Sequence, residues 1–261
     1  MRIAKNGRSI LSLDDWFAFA PPKMGARQWV AGRSARELAE AWFPRAGEPS
    51  VPPELAALLN SSADVGLIRL HAAEPECSVR FDDLRGEPRN CDLAVIGESA
   101  LGVVAVSIEA KADETFGRPV ANELESAEDR VSKLPERLGR LARALFGLRD
   151  SQPIRALHYQ LIHGTAAALA FAQQRKASLA VFAVHEFVTN LTEDRKHDAN
   201  AHALDQFVGF LTKGEIISVP GGRLLGPFRV PGNKHIPGEM PLYIGKAQRN
   251  VRKQVCEDGG G

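Results

Sequence analysis

The chain is poor in cysteine, with only Cys77, Cys91 and Cys256. Their number is odd and none stands in a Cys-x-x-Cys spacing, which argues against a disulfide framework and against a zinc site. Such usage fits the reducing cytoplasm. A charge of one sign is lacking too: 33 basic against 32 acidic residues leave a net +1. No global field therefore attracts a nucleic acid, and any such partner must be met by a local patch. Long apolar runs are also missing. The N-terminal MRIAKNGRSILSLDDWF carries no signal-peptide stretch. The most apolar segments, near 166–172 and 179–184, are too short to span a bilayer. The expectation is a cytoplasmic protein with no membrane partner. Internal repeats, low-complexity blocks, a Gly-x-Ser-x-Gly elbow and a catalytic-cysteine context are all absent. Gly221-Gly222 lacks the strand-to-helix setting of a phosphate loop. The histidines are scattered, and His197 and His202 miss the i, i+4 spacing of a helical metal pair.

What is present is a globular composition over 261 residues, 44% hydrophobic and 25% charged, enough to bury a core without staples. Ser34 with Glu37 three residues on forms a capping-box pattern before Leu38, Ala41 and Trp42, and Pro44 ends that helix. Pro52-Pro53 opens a second helix carrying Glu54, Leu55, Leu58 and Leu59. Extended segments follow at 66–70, 78–81, 92–97 and 102–109, the last two forming a hairpin around Glu98-Ser99-Ala100-Leu101. Residues 103–108 (VVAVSI) are nearly all apolar, as in the middle of a sheet covered on both faces. Helical spacing predicts helices over 120–134 and 136–148, broken at Pro135, then over 154–175 and 200–211. An apolar strand at 179–188 lies between the last two. The tail from Gly214 is rich in Gly and Pro, with short strands at 224–230 and 242–244. This order predicts a single α/β domain over 1–261, a mixed central sheet flanked by helices.

One stretch carries chemistry: 92-DLAVIGESALGVVAVSIEAK-111. Side chains alternate along a strand, so Glu109 and Lys111 project from one side. If the turn pairs Gly97 with Gly102, Asp92 lies opposite Ser107 and shares that face; a slip of one residue would turn it away. Converging carboxylates repel, and a hard divalent cation, Mg²⁺ or Mn²⁺, relieves this by taking their oxygens, with the Ala110 carbonyl as a further donor. Lys111 beside it can orient or deprotonate a water, or stabilise charge on a phosphate. Arg137, Arg140 and Arg143 recur along one side of a helix, preceded by Arg130 and Lys133. This is either a stripe that tracks phosphates or an ordinary solvated face. Lys246, Arg249, Arg252 and Lys253 pose the same choice in the tail. Asp113 and Glu114 either add carboxylates near the cluster or open a loop. His185-Glu186 reads as a hydrogen-bonded structural pair.

Asp92 followed by Glu109-Ala110-Lys111 resembles the signature of the PD-(D/E)xK nuclease superfamily, the restriction-endonuclease-like fold. That core runs helix, three strands, helix, strand, and the resemblance covers about residues 50–190. Cys91 stands where the family usually has proline. The resemblance implies a metal-dependent nuclease acting on DNA or RNA, with Asp92 and Glu109 as metal ligands and Lys111 catalytic. It also implies a role for Gln160, beside Tyr159, in holding water or substrate, and for Glu54 as an extra metal ligand. Ordinary helix positions for Gln160 and Glu54 are the other reading. A protein that keeps the fold without turnover, binding nucleic acid or another protein, is the alternative.

Overall fold

Val104, Val106, Ile108, Leu179, Val181 and Ala183 are inaccessible to solvent or nearly so, and so are Ala105, Ala180, Phe182 and Val184, which alternate with them along the same strands. Burial of both sets requires helices on both faces of the sheet. The computed structural model describes residues 1–44, 48–128 and 132–252. Its elements are β1 (Arg2–Lys5), β2 (Arg8–Ser9), α1 (Leu13–Phe19), α2 (Ser34–Trp42), α3 (Pro53–Leu59), β3 (Arg69–Val79), β4 (Arg89–Ser99) and β5 (Gly102–Lys111). They continue with α4 (Val120–Glu128), α5 (Leu134–Phe146), α6 (Tyr159–Gln174), β6 (Leu179–Val188), α7 (Asp194–Leu211), β7 (Leu224–Phe228) and β8 (Leu242–Asn250).

The strands form one mixed sheet in the order β2-β1-β3-β4-β5-β6-β8-β7. β3–β4 and β4–β5 pair antiparallel, whereas β1–β3, β5–β6 and β6–β8 pair parallel. On one face Trp16, Leu38, Trp42, Leu55 and Leu58 of α1–α3 pack on the Leu93, Val95, Val104 and Val106 row. On the other, Leu138 and Leu141 of α5, Leu161 and Ile162 of α6 and Phe207 of α7 pack on Ala94, Ala105, Ala180 and Phe182. Gly164 sets the approach of α6: a Cβ there would lie 2.9 Å from Cε2 of Phe182. The α/β class with a mixed, helix-flanked sheet is as expected.

Several boundaries differ from the sequence reading. The segments 66–70 and 78–81 are replaced by one continuous strand, β3, which runs through Pro75. The long helix begins at Tyr159 rather than 154, because Val120 and Ala121 donate their amides to the carbonyls of Leu157 and Arg155 and hold that stretch out of helix. Pro135 does not break α5 but sits in its first turn, where a missing N–H costs nothing. α7 starts earlier than expected, at Asp194, and β8 continues to Asn250. Glu37 caps the approach to α2 by accepting from the Gly32 amide at 2.6 Å, with no side-chain cap from Ser34.

Candidate active site

The hairpin register decides which side chains meet. β4 and β5 pair Ser99 with Gly102 and Leu93 with Ile108, and Ala94 rather than Asp92 faces Ser107. This is offset by two residues from the Gly97–Gly102 pairing expected. A two-residue shift keeps the parity of the pleat, so Asp92 stays on the side of Glu109 and moves level with it. Past Leu93 and Ile108 the ladder ends, and the next main-chain donor, the Ala110 amide, goes to Asp92 Oδ2 at 2.7 Å. Asp92, Glu109, Lys111 and Gln160 line one cleft of about 370 Å³, between the α1–α2 layer and the start of α6. The structure thus brings together four of the residues singled out in the sequence.

Glu109 is the hub. Lys111 Nζ donates to its Oε1 at 2.9 Å, Gln160 donates to the same oxygen, and the Arg89 guanidinium pairs with Oε2. Glu109 and Lys111 are only 2% and 3% exposed. Burial alone would raise the Glu109 carboxyl, but Arg89 and Lys111 outweigh it and hold it below the usual range. Burial would likewise lower Lys111, yet Glu109 and Asp92 hold it above its ordinary value, so it is an ammonium at neutral pH. Asp92 goes the other way. Burial and then the charge of Glu109 push its carboxyl up despite Lys111 and Arg89. Lys111 also lies over the ring of Phe116, 5.4 Å from its centroid.

The donor set has the chemistry of a small hard cation. It offers two oxygen-bearing side chains and the Ala110 carbonyl, which already attracts Lys111 Nζ at 3.2 Å. Among the described residues no group of three or more His, Cys, Asp or Glu side chains converges to hold a metal. Mg²⁺ is commonly bound by one or two carboxylates with waters and substrate phosphates completing its shell, so two carboxylates fit it. The raised Asp92 carboxyl, disfavoured as an anion beside Glu109, is what such a cation would relieve.

Other expectations are corrected. Glu54 does not join the cluster. His185 Nε2 lies 2.8 Å and Arg249 Nε 3.1 Å from its Oε1, on the sheet face away from Glu109. His185 and Glu186 do not bond to each other, because the pleat sends them to opposite faces. Glu186 instead meets His197 at 3.3 Å and Lys246 at 3.6 Å. Two of the three stripe arginines are neutralised, Arg137 by Asp82 at 2.6 Å and Arg140 by Asp83 and Glu136, whereas Arg143 meets among the described residues a neutral acceptor, the Arg149 carbonyl at 3.4 Å. In the tail, Lys246 and Arg249 belong to β8 and Arg252 pairs with Asp194 at 2.9 Å. Arg130, Lys253 and Cys256 lie outside the described residues. Glu114 does reach the cleft wall.

Sequence reasoning missed Arg89, Asn90 and Glu76, which also line the cleft. The signal for Arg89 was a cation on the same strand as Asp92, but which carboxylate it would meet depends on strand stagger that residue spacing does not reveal. Glu76 has a left-handed backbone (φ +47°), a conformation that costs a non-glycine residue roughly 1 kcal/mol, and burial pushes its carboxyl up to about 7.

No helix among the described residues is long and apolar enough to cross a membrane. No curated protein and no solved structure matches the chain. A family model described as a domain of unknown function, DUF6946, matches residues 9–251, and the chain belongs to that family.

Proposed function

We propose that the protein is a Mg²⁺- or Mn²⁺-dependent nuclease that hydrolyses phosphodiester bonds of DNA or RNA. The observation that carries this reading is the convergence of Asp92, Glu109, Lys111 and Gln160 in one cleft. The order α3, β3, β4, β5, then helices, then the parallel strand β6 adds support, since it follows the core order of the PD-(D/E)xK superfamily that the Asp92…Glu109-Ala110-Lys111 pattern resembles. A bound divalent cation would polarise the phosphate and acidify a water. Asp92, Glu109 and the Ala110 carbonyl would hold it. Lys111, kept charged by its carboxylate neighbours, acts as an electrostatic clamp on the phosphate rather than as a base. Gln160, fixed on the first turn of α6, has an amide at the cleft that can orient the attacking water. In the reaction the water oxygen would form the new P–O bond as the bond to the leaving sugar oxygen breaks; of the water's two protons, one ends on the leaving oxygen through solvent and the other stays with the product phosphate or passes to solvent.

The test is metal-dependent cleavage of a mixed panel of single- and double-stranded DNA and RNA. Wild type should cleave at least one substrate with Mg²⁺ or Mn²⁺, and Lys111→Ala should lose on the order of 10²-fold or more in rate with its fold intact. Unchanged cleavage by Lys111→Ala removes the assignment. One observation favours a second reading, a nuclease-fold protein without turnover that binds nucleic acid or protein. Arg89 and Lys111 both pair with Glu109, so its carboxylate is matched by protein cations without a metal ion. That reading expects no metal-stimulated turnover on any member of the panel.

A further inference from the structure

Beside the carboxylate cleft lies a second concavity of about 510 Å³, and the two share Lys23, Arg89 and Asn90 as a common wall. The second one has a different character. Among the described residues, Lys23, Arg80, Arg89 and Arg137 face it against two carboxylates, Asp82 and Glu87. Arg137 is neutralised by Asp82 at 2.6 Å, whereas the Lys23–Glu87 pair is loose, 3.8 Å apart and almost fully exposed. Arg80 is the informative residue. Its guanidinium is fixed by two neutral acceptors, the carbonyls of Leu84 at 3.1 Å and Gly86 at 3.3 Å, and among the described residues it has no carboxylate partner. Its position is therefore set while its charge stays available.

The inner wall of the pocket contains polar atoms with nothing to bond. Arg89 Nε and His163 Nδ1 are both buried with no hydrogen-bond partner among the described residues. A buried donor left unmet costs about 1–3 kcal/mol, so the Arg89 Nε–H suits a ligand that supplies acceptors, while His163 Nδ1 donates or accepts according to its tautomer. Tyr159 packs edge-on against His163, with ring centroids 4.4 Å apart, and closes that side with aromatic surface. Planar guanidinium donors, a lysine at the rim and an unpaired inner donor together make a recognition set for an oxyanion with several acceptor oxygens.

We propose that this pocket is a phosphate subsite, which receives a phosphate of the same strand whose neighbouring phosphodiester lies against Glu109 and Lys111. The assignment rests on the nuclease reading for its second half only; phosphate capture by Arg80, Arg89 and Lys23 stands on the pocket itself. Arg89 links the two halves, because one guanidinium faces the pocket and pairs with Glu109. Phosphate drawn to Arg89 would loosen that pair and release Glu109 Oε2 towards the cleft. The phosphate can be a terminal monoester or a flanking diester, and both present the same oxygens.

The experiment measures binding of short, internally labelled oligonucleotides bearing a 5′-phosphate, a 3′-phosphate or hydroxyl ends, with EDTA present to prevent cleavage and inorganic phosphate as competitor. If a terminal phosphate is the ligand, one phosphorylated oligonucleotide binds wild type roughly tenfold more tightly than the hydroxyl form. Arg80→Gln should abolish that gap. If a flanking diester is the ligand, Arg80→Gln weakens all three alike and lowers the salt dependence. Inorganic phosphate should compete with wild type and far less with Arg80→Gln. Lys23→Gln, at a solvent-exposed position that cannot unsettle the fold, should weaken binding in the same direction. Binding that neither substitution changes and that phosphate does not displace overturns the subsite. Glu109→Gln separates the two ideas. It should keep phosphate capture and lose cleavage; phosphate capture by a wild type that shows no metal-dependent turnover removes the nuclease reading alone, and wild-type turnover without phosphate sensitivity removes the subsite alone.

Discussion

Arg89 on β4 donates its guanidinium to Glu109 on β5, so the central carboxylate of the cleft already carries a cation from the protein itself. A divalent ion and Arg89 therefore compete for one charge. Removing one partner of a buried pair typically costs about 3–5 kcal/mol, because the other charge is left uncompensated. Lys111 and Gln160 still hold Glu109 in Arg89→Ala, so a loss near ~3 kcal/mol is expected in EDTA. Mg²⁺ or Mn²⁺ should then restore part of it, by more than the same ion stabilises wild type. Denaturant midpoints with and without metal give both values. Identical midpoints for the variant in EDTA and in millimolar Mg²⁺ would show that Glu109 has no affinity for the ion.

Asp92 offers the opposite combination. Its carboxylate is disfavoured by burial and by Glu109, yet one oxygen accepts the Ala110 amide at 2.7 Å. Asp92→Asn keeps an acceptor for that amide and cannot take on the charge that burial and Glu109 disfavour. Stability at pH 7–8 should stay level or rise by about 1 kcal/mol, whereas affinity for Mn²⁺ and cleavage should fall by about two orders of magnitude or more. A gain in stability with a loss of function marks a site rather than a structural residue. Calorimetric Mn²⁺ titration beside thermal unfolding checks the pair, and undiminished Mn²⁺ binding would rule out Asp92 as a ligand.

How much of this was legible beforehand depends on the range of the interaction concerned. The unbroken apolar run of β5 announced a covered strand, and the two-residue spacing of Glu109 and Lys111 fixed their common face. The face of Asp92 survived an error in the turn because only parity matters. Pro75 and Glu76 interrupt the apolar pattern of β3 and so divide it in the sequence, and Glu76 belongs to the cleft. For Glu54 the resemblance implies a ligand, since the family places a carboxylate on the helix before the strands, and its place in a helix first turn equally suits an ordinary acidic residue. His185, 131 positions away in sequence, settled its true partner. The Arg89–Glu109 pair and the pairing of Arg137 with Asp82 are likewise contacts between strands or between a helix and a loop, which no local spacing encodes.

Glu54 gives a prediction that tests this correction directly. Its carboxylate is held by His185 and Arg249, and His185 is fully buried. Glu54→Gln should cost about 1–2 kcal/mol by weakening two charge-assisted contacts while sparing the hydrogen-bonding shape. Metal-dependent cleavage should remain within about twofold of wild type when assayed well below the unfolding temperature. A loss of activity comparable to that of Glu109→Gln would mean that Glu54 acts on the reaction after all.

His163 should give the molecule an acid-sensitive edge. Burial, and then the cations Arg89, Lys111 and Arg137, hold its imidazole well below the ordinary value of 6.5, so the folded protein keeps it neutral. The unfolded chain binds a proton there once the pH drops below about 6.5, and the folded chain does not. With more protons bound in the unfolded state, stability declines as the pH falls through that window, by at most about 1.4 kcal/mol per pH unit from this group. His163→Leu removes the group and keeps the apolar contact with Tyr159. The variant should therefore lose less stability than wild type between pH 7 and 5, while the two run parallel above pH 7. Urea midpoints across that range check it. Equal pH slopes for both proteins would mean that His163 takes up its proton in the folded state as readily as in the unfolded one, and that the three cations do not act on it.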